Sequence, residues 1–351
     1  MMNYDHIESP GLLVDPAIVK KNIQWVLEQV NNNPARLRPH IKTHKTREVN
    51  QLLLDAGITK FKAATIAEAE LLALDNAPDV LLSMQPTGTT LERFISLIQK
   101  YPTTSFACLL DNTEAALKVN EVANQLRVYI DLNMGMNRTG IRPNEALSLI
   151  TYIKELPNLQ LAGLHAYDGH IRDLDIEDRK KHVEKDFQLF HEILDHVPEG
   201  LELVVGGTPS FLVHHSNPNY VCSPGTFVFF DTGYANLYPK DSLQLAVQVI
   251  GRIISIPTEH TISIDVGHKS VAPENSIDNR LQFIDHPGWK LMSQSEEHGI
   301  VEVGDSSNYK IGDVVRMYPY HICPTVALHQ YLQLADGTHW DVVARNRKIT
   351  V

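Results

Sequence analysis

The sequence predicts an α/β chain, a (β/α)8 TIM barrel followed by a second, mostly β domain. Three observations carry that expectation. Short β-branched or apolar runs alternate with longer helically spaced stretches from residue 10 to about 240, and this texture stops near residue 243. Polar residues collect just behind the apolar runs. Strands separated by helices pair in parallel, with the helices packed outside, and eight such units in this length fit a barrel. A doubly wound open sheet shares the local texture. A closed barrel, however, brings every post-strand loop to one rim, whereas an open sheet spreads them along a line, and the clustering of polar residues asks for one rim.

Taken in order, the expected barrel strands are residues 37–41, 60–64, 80–83, 105–110, 127–132, 161–166, 202–205 and 226–230. Amphipathic helices are expected at 17–30, 67–75, 91–100, 113–125, 144–155 and 176–196, where apolar residues recur at helical spacing. Lys42, Gln85, Asp111, Arg138, Tyr167 with His170, the Gly206-Gly207-Thr208 turn and Gly225-Thr226 follow the strands. The barrel domain is therefore expected over 10–243 and the β domain over 244–351, with 1–15 contributing a further strand at 11–15. Strands are expected there at 244–257, 260–266, 299–303, 313–318 and 330–346. The Asp336-Gly337 pair predicts a hairpin within the last, because Gly accepts the positive φ such turns need.

Composition narrows the functional classes. The 351 residues carry 31 Lys and Arg against 42 Asp and Glu, a net charge of −11, with no basic run, which speaks against a nucleic-acid partner. At 43% hydrophobic and 21% charged residues the chain has the composition of a folded globular protein. No apolar stretch is long enough to span a bilayer, and the first residues lack a basic-then-apolar leader. Three cysteines, Cys108, Cys222 and Cys323, make no disulfide framework, so a cytoplasmic location is expected.

Four segments could carry chemistry. Arg38-Pro39-His40-Ile41-Lys42-Thr43-His44-Lys45 ends the first expected strand. Cationic neighbours and partial burial disfavour an ammonium, moving Lys42 towards the range of a Schiff-base lysine; a basic patch at a barrel mouth is the plain alternative. Gly206-Gly207-Thr208 follows strand seven and Gly225-Thr226 leads into the last barrel strand, in the region of the loops behind strands seven and eight that is the usual phosphate site of this barrel, where glycines let backbone N–H groups approach an anion. Arg138 could hold an anionic oxygen or form a rim ion pair. His321 and Cys323, two apart on an expected strand, point to one face and could chelate one ion, zinc being favoured and an open catalytic site implied; a half-buried histidine beside a core cysteine is the alternative. Among 17 histidines, His170 is placed to act as a base near neutral pH.

Together these segments resemble the fold-type III pyridoxal phosphate enzymes, and within them the D-threonine aldolase and D-serine dehydratase family, whose barrel resembles that of alanine racemase. The resemblance rests on the Lys42 segment, Gly135 to Gly140 around Arg138, Gly206-Gly207-Thr208-Pro209, Pro224-Gly225-Thr226, Glu297-His298-Gly299 and His321-Ile322-Cys323-Pro324, in the family's order across nearly the whole chain. It implies pyridoxal 5'-phosphate joined to Lys42. Gly206, Gly207, Thr208, Gly225 and Thr226 would then surround the phosphate, with Gln85 and Arg138 near the phenolic oxygen and Tyr167 against the ring. His321 and Cys323 would hold a divalent metal, zinc first, manganese or magnesium otherwise. Family members work as homodimers on small D-amino acids.

The sequence departs from the family at Phe227, where many relatives carry tyrosine, and at Tyr320, where many carry asparagine. His321-x-Cys323 resembles the dehydratase branch, whereas Tyr167-Asp168-Gly169-His170 resembles aldolase relatives. The expected reaction is retro-aldol cleavage of a D-β-hydroxy-amino acid to glycine and an aldehyde, with Lys42 and His170 as catalytic groups. D-Serine dehydration uses the same constellation and remains the alternative. A metal-independent amino-acid racemase or a non-catalytic cofactor carrier would leave His321 and Cys323 without a task.

Overall fold

A computed structural model describes residues 4–351, and these form two compact units. The first comprises Gln24–Lys42, Asn50–Gly225 and Asn346–Val351; the second comprises the chain up to Ile23, Thr43–Val49 and Thr226–Arg345.

The first unit is the barrel. Its strands, Lys60–Ala63, Asp79–Leu82, Ser105–Leu110, Leu126–Asn133, Leu159–Tyr167, Glu202–Val205 and Tyr220–Cys222, pair in parallel in chain order. An open doubly wound sheet would reverse that order at its switch point. The segment expected as the first strand closes the ring: Leu37 bridges Cys222 and His40 bridges Lys62. Arg38 N donates to the Cys222 carbonyl at 2.9 Å, His40 N to Pro224 at 3.0 Å and Lys62 N to Pro39 at 2.9 Å. Pro39 can only accept, which leaves this eighth station as isolated bridges instead of a regular strand.

Two sequence expectations need correction. The last paired strand of the barrel is Tyr220–Cys222, and residues 226–230 instead begin with a 3-10 turn, Thr226–Val228. That Thr-Phe-Val-Phe-Phe run is apolar because every residue in it is buried, and burial overrides its β propensity. His321 and Cys323 do not share a strand either: His321 is the N-cap of helix Ile322–Leu328, and Cys323 lies in its first turn. Pro324 fits there because the first-turn N–H groups have no helical partner to lose.

Leu81, Ala107, Leu109, Tyr129, Val204 and Val221 fill the barrel interior. A charged cluster sits at the strand starts. The fully buried Arg38 donates to Asp79 at 2.6 Å and Glu202 at 2.8 Å, Arg127 also holds Asp79 at 2.8 Å, and the Tyr129 hydroxyl donates to Glu202 at 3.0 Å. Burial opposes the Arg38 charge, yet the two carboxylates outweigh it and hold the guanidinium pKa above its usual range. This cluster ties the strand starts together, and the polar post-strand loops lie at the opposite rim.

The second unit is a nine-stranded sheet. Gly11–Val14 joins it, antiparallel to Val247–Ser255 and parallel to Tyr331–Gln333. Tyr331–Gln333 turns through Asp336-Gly337, with Gly337 at φ 84°, to pair with His339–Asp341. No helix among the described residues is long and apolar enough to cross a membrane.

Candidate active site

A cavity of about 450 Å³ opens at the barrel's strand ends, and its lining includes His40, Lys42, Ser83, Gln85, Asp111 and Arg138. Lys42 lies in the single turn Ile41–Thr43 that follows the closing segment. Its amide donates to His40 Nδ1 at 3.2 Å, so the His40 proton is on Nε2, which donates to Ser83 Oγ at 3.2 Å. Ser83 passes its own hydrogen to the Ala63 carbonyl at 2.9 Å. Gln85 Oε1 accepts from the Asp111 amide at 3.0 Å, and Asp111 Oδ2 accepts from the Gly140 amide at 3.1 Å, which ties down the loop carrying Arg138.

Tyr167, at the end of its strand, is the hub of this rim. Lys42 Nζ stands 5.9 Å, Lys62 Nζ 5.5 Å and the Arg138 guanidinium 5.0 Å from its ring centroid. The glycine turn packs on the same ring: a Cβ at Gly207 would lie 2.8 Å from Tyr167 Cε2. The two glycine turns meet where the Gly225 amide donates to Thr208 Oγ1 at 3.1 Å. Behind them the buried Asp168 accepts from Ser210 Oγ at 2.5 Å and from His214 Nε2 at 2.7 Å, bracing the first turn.

Sequence reasoning missed Lys62. It stands within the Lys60–Ala63 strand, is 3% exposed, and places Nζ 3.3 Å from His165 Nε2, while His165 Nδ1 donates to Asp131 Oδ1 at 2.7 Å. Burial, aided by the positive charges of Lys42, Arg38 and Arg138 against the pull of Asp131, brings the Lys62 amine down to about 7. Burial, with Lys62 beside it, also lowers the His165 pKa. The one available signal was a lysine in the middle of an expected barrel strand. His170 goes elsewhere: its Nε2 lies 3.0 Å from Asp186 Oδ2, and the structure brings it to Asp186 and His182.

In the second unit, His321 Nδ1 lies 2.6 Å from Glu274 Oε1, and the imidazole hydrogen-bonds Cys323. Burial disfavours the imidazolium, yet Cys323, Asp231 and Glu274 outweigh it and raise the His321 pKa to about 9. Cys323 Sγ is 3.1 Å from Thr43 Oγ1 and 3.4 Å from Thr226 Oγ1. A carboxylate behind a histidine beside a thiol is the donor set of a divalent soft-to-borderline metal. On the barrel rim, an amine, two further cations over one aromatic ring and paired glycine turns fit an anionic aromatic aldehyde such as pyridoxal phosphate, and Gly207 keeps the space a side chain would fill.

Known proteins share this fold. A 3-hydroxy-D-aspartate aldolase of Paracoccus denitrificans (strain Pd 1222) is 26% identical over 99% of this chain and 94% of its own length. The crystal structure of D-threonine aldolase from Filomicrobium marinum superposes with a TM-score of 0.88 at 24% identity, over 98% of this chain and 97% of that one. D-threo-3-hydroxyaspartate dehydratase from Delftia sp. HT23 gives 0.82 at 21% identity, over 97% and 99%. Variants of that dehydratase replace a histidine or a cysteine two positions after it, the cysteine variant being in the metal-free form. Residues 246–335 match the putative serine dehydratase domain. Residues 14–233 match the alanine racemase N-terminal domain, and with that barrel this chain belongs to the alanine racemase family of fold-type III pyridoxal phosphate proteins.

Proposed function

We infer that this protein is a pyridoxal phosphate- and divalent-metal-dependent lyase that cleaves D-β-hydroxy-amino acids by a retro-aldol reaction, giving glycine and an aldehyde. The observation that carries the reading is the Lys42 amine on the Tyr167 ring against which the Gly207 turn packs, since amine and anion cradle must flank one planar group. When bound, that group supplies an electron sink for charge left on Cα. Lys42 would hold it, with Gly206, Gly207, Thr208, Gly225 and Thr226 around the phosphate and Gln85 and Arg138 on the phenolic side.

Lys62 has a separate task. With His165 Nε2 accepting at 3.3 Å, its amine would hold or release a proton at Nζ near neutrality, 5.5 Å from the Tyr167 ring centroid. His321 and Cys323 would hold the divalent ion, which supplies Lewis acidity for a β-hydroxyl oxygen; Glu274 keeps the His321 ring in place. Dehydration to an oxo acid and ammonia is the second reading, favoured by the His-x-Cys spacing shared with the Delftia dehydratase. A homodimer in a reducing cytoplasm completes the proposal, in keeping with three free cysteines.

Product analysis with D-threonine and D-serine, each with and without chelator, tests this. Glycine plus acetaldehyde, lost on chelation, is the expected result. An oxo acid plus ammonia transfers the assignment to the dehydratase, and turnover indifferent to chelator removes the metal from it.

A further inference from the structure

Outside the cavity, three metal-ligating side chains of the barrel unit converge. His182 and Asp186 stand one turn apart on helix Ile176–Asp186, on a common face, and His170 reaches them from the loop behind the Leu159–Tyr167 strand. His170 Nε2 is 3.0 Å and His182 Nε2 3.7 Å from the same oxygen, Asp186 Oδ2, and one ligand atom from each residue lies within 4.8 Å of the others. Donors arranged tetrahedrally at zinc-ligand distances stand about 3.4 Å apart. The cluster is within a small contraction of that spacing.

Proton placement sharpens the case. His182 Nδ1 lies 2.8 Å from Asp173 Oδ2. An ionised carboxylate can only accept, so Nδ1 carries a hydrogen, and Nε2 is the ring atom turned towards Asp186. Asp173 stands where the outer carboxylate of a metal-bound histidine stands, fixing ring and tautomer from behind. The approach is kept clear as well. Gly135 holds φ +96°, and a Cβ there would come within 2.7 Å of Asp186 Oδ2 and 3.3 Å of His170 Nε2, covering the ligand atoms.

We propose that His170, His182 and Asp186 form a second divalent-metal site of the zinc type, distinct from the His321–Cys323 pair, with Asp173 orienting His182 and water completing the shell. Two imidazoles and one carboxylate with an open position suit Zn²⁺ or its spectroscopic substitute Co²⁺. An ion there would fasten the loop behind Tyr167 to the helix that follows it. The site stands on its own donors, whatever reaction the barrel rim performs.

The test is Co²⁺ titration of the chelator-stripped full chain at neutral pH, read by visible ligand-field absorption and by metal content after gel filtration. A His321→Ala/Cys323→Ala variant, which removes the other pair, is expected to keep a single equivalent of Co²⁺ without a thiolate charge-transfer band. Adding Asp186→Asn or His182→Ala is expected to abolish that equivalent, and Asp173→Asn to weaken it by at least about tenfold. Asp186→Asn is isosteric, and its circular dichroism separates loss of fold from loss of ligand. A double variant that takes up no Co²⁺ overturns the site. So does uptake that survives both His182→Ala and Asp186→Asn.

Discussion

Two lysines stand at the rim, Lys42 in an open position and Lys62 in a buried one. Lys42 lines the cavity and Lys62 lies behind it, 3% exposed. Lys42→Ala is expected to abolish the visible absorbance of added pyridoxal phosphate while leaving the circular dichroism unchanged; a retained band would remove Lys42 from the site. Lys62 makes a prediction that needs no substrate. Its amine takes a proton below an ordinary 10.5 in the unfolded chain but only below about 7 in the fold. Between those values the unfolded chain binds the extra proton, so this residue makes stability rise with pH across the window. Lys62→Met should flatten that rise in urea midpoints measured from pH 7 to 10.5. An equally steep profile in the variant would show that the amine is charged in the fold.

Among elements, the Gly206-Gly207-Thr208 turn packs directly on the Tyr167 ring. Gly207→Ala would drive a methyl into the Tyr167 ring 2.8 Å away and displace either the ring or the turn. Equilibrium dialysis should show pyridoxal phosphate binding weakened about tenfold or more, since about 1.4 kcal/mol of lost fit suffices for that. Asp168→Ala strands the hydrogen bonds of Ser210 and His214, both buried, and is expected to cost about 2 kcal/mol in a urea melt.

Elements with strong periodicity were legible in the sequence. The strand Ser105–Leu110 and the strand Glu202–Val205 fall at their expected bounds, and the Asp336-Gly337 hairpin and the early strand Gly11–Val14 form where expected with ends a few residues shorter. The helix Arg47–Asp55 was not, because it follows the Lys42 segment directly, where polar residues read as a loop. Leu281–Phe283 and Lys290–Gln294 are short and partly exposed, and their strand character comes from pairing with Val314–Pro319 and Gly299–Glu302, which no local pattern announces. Likewise Gln85 and Arg138 were visible as polar residues behind strands, whereas Lys62 gains its meaning only from His165 and Asp131 on strands far away in sequence.

At the scale of the molecule, the barrel has a chemical end and a structural end. Arg38 serves the second although it stands four residues from Lys42, because its side chain goes to the strand starts, where it holds Asp79 and Glu202. Arg38→Met leaves those carboxylates without their buried partner and is expected to lower stability by about 3 kcal/mol. The visible band of the loaded protein should persist; its loss in the folded variant would mean that Arg38 also shapes the rim.

The closing segment has a further consequence. Most neighbouring strands are laced by several registered pairs, but the ring is fastened at residues 37–40 by isolated bridges and three amide hydrogen bonds. A cylinder opens first along its thinnest stitching. In deuterated water the amides of Arg38, His40 and Lys62 should therefore exchange ahead of those in the long Leu126–Asn133 and Leu159–Tyr167 pair. Lys42 hangs from the end of that stitching, so a ligand gripping its amine would also clasp the staves' loosest join.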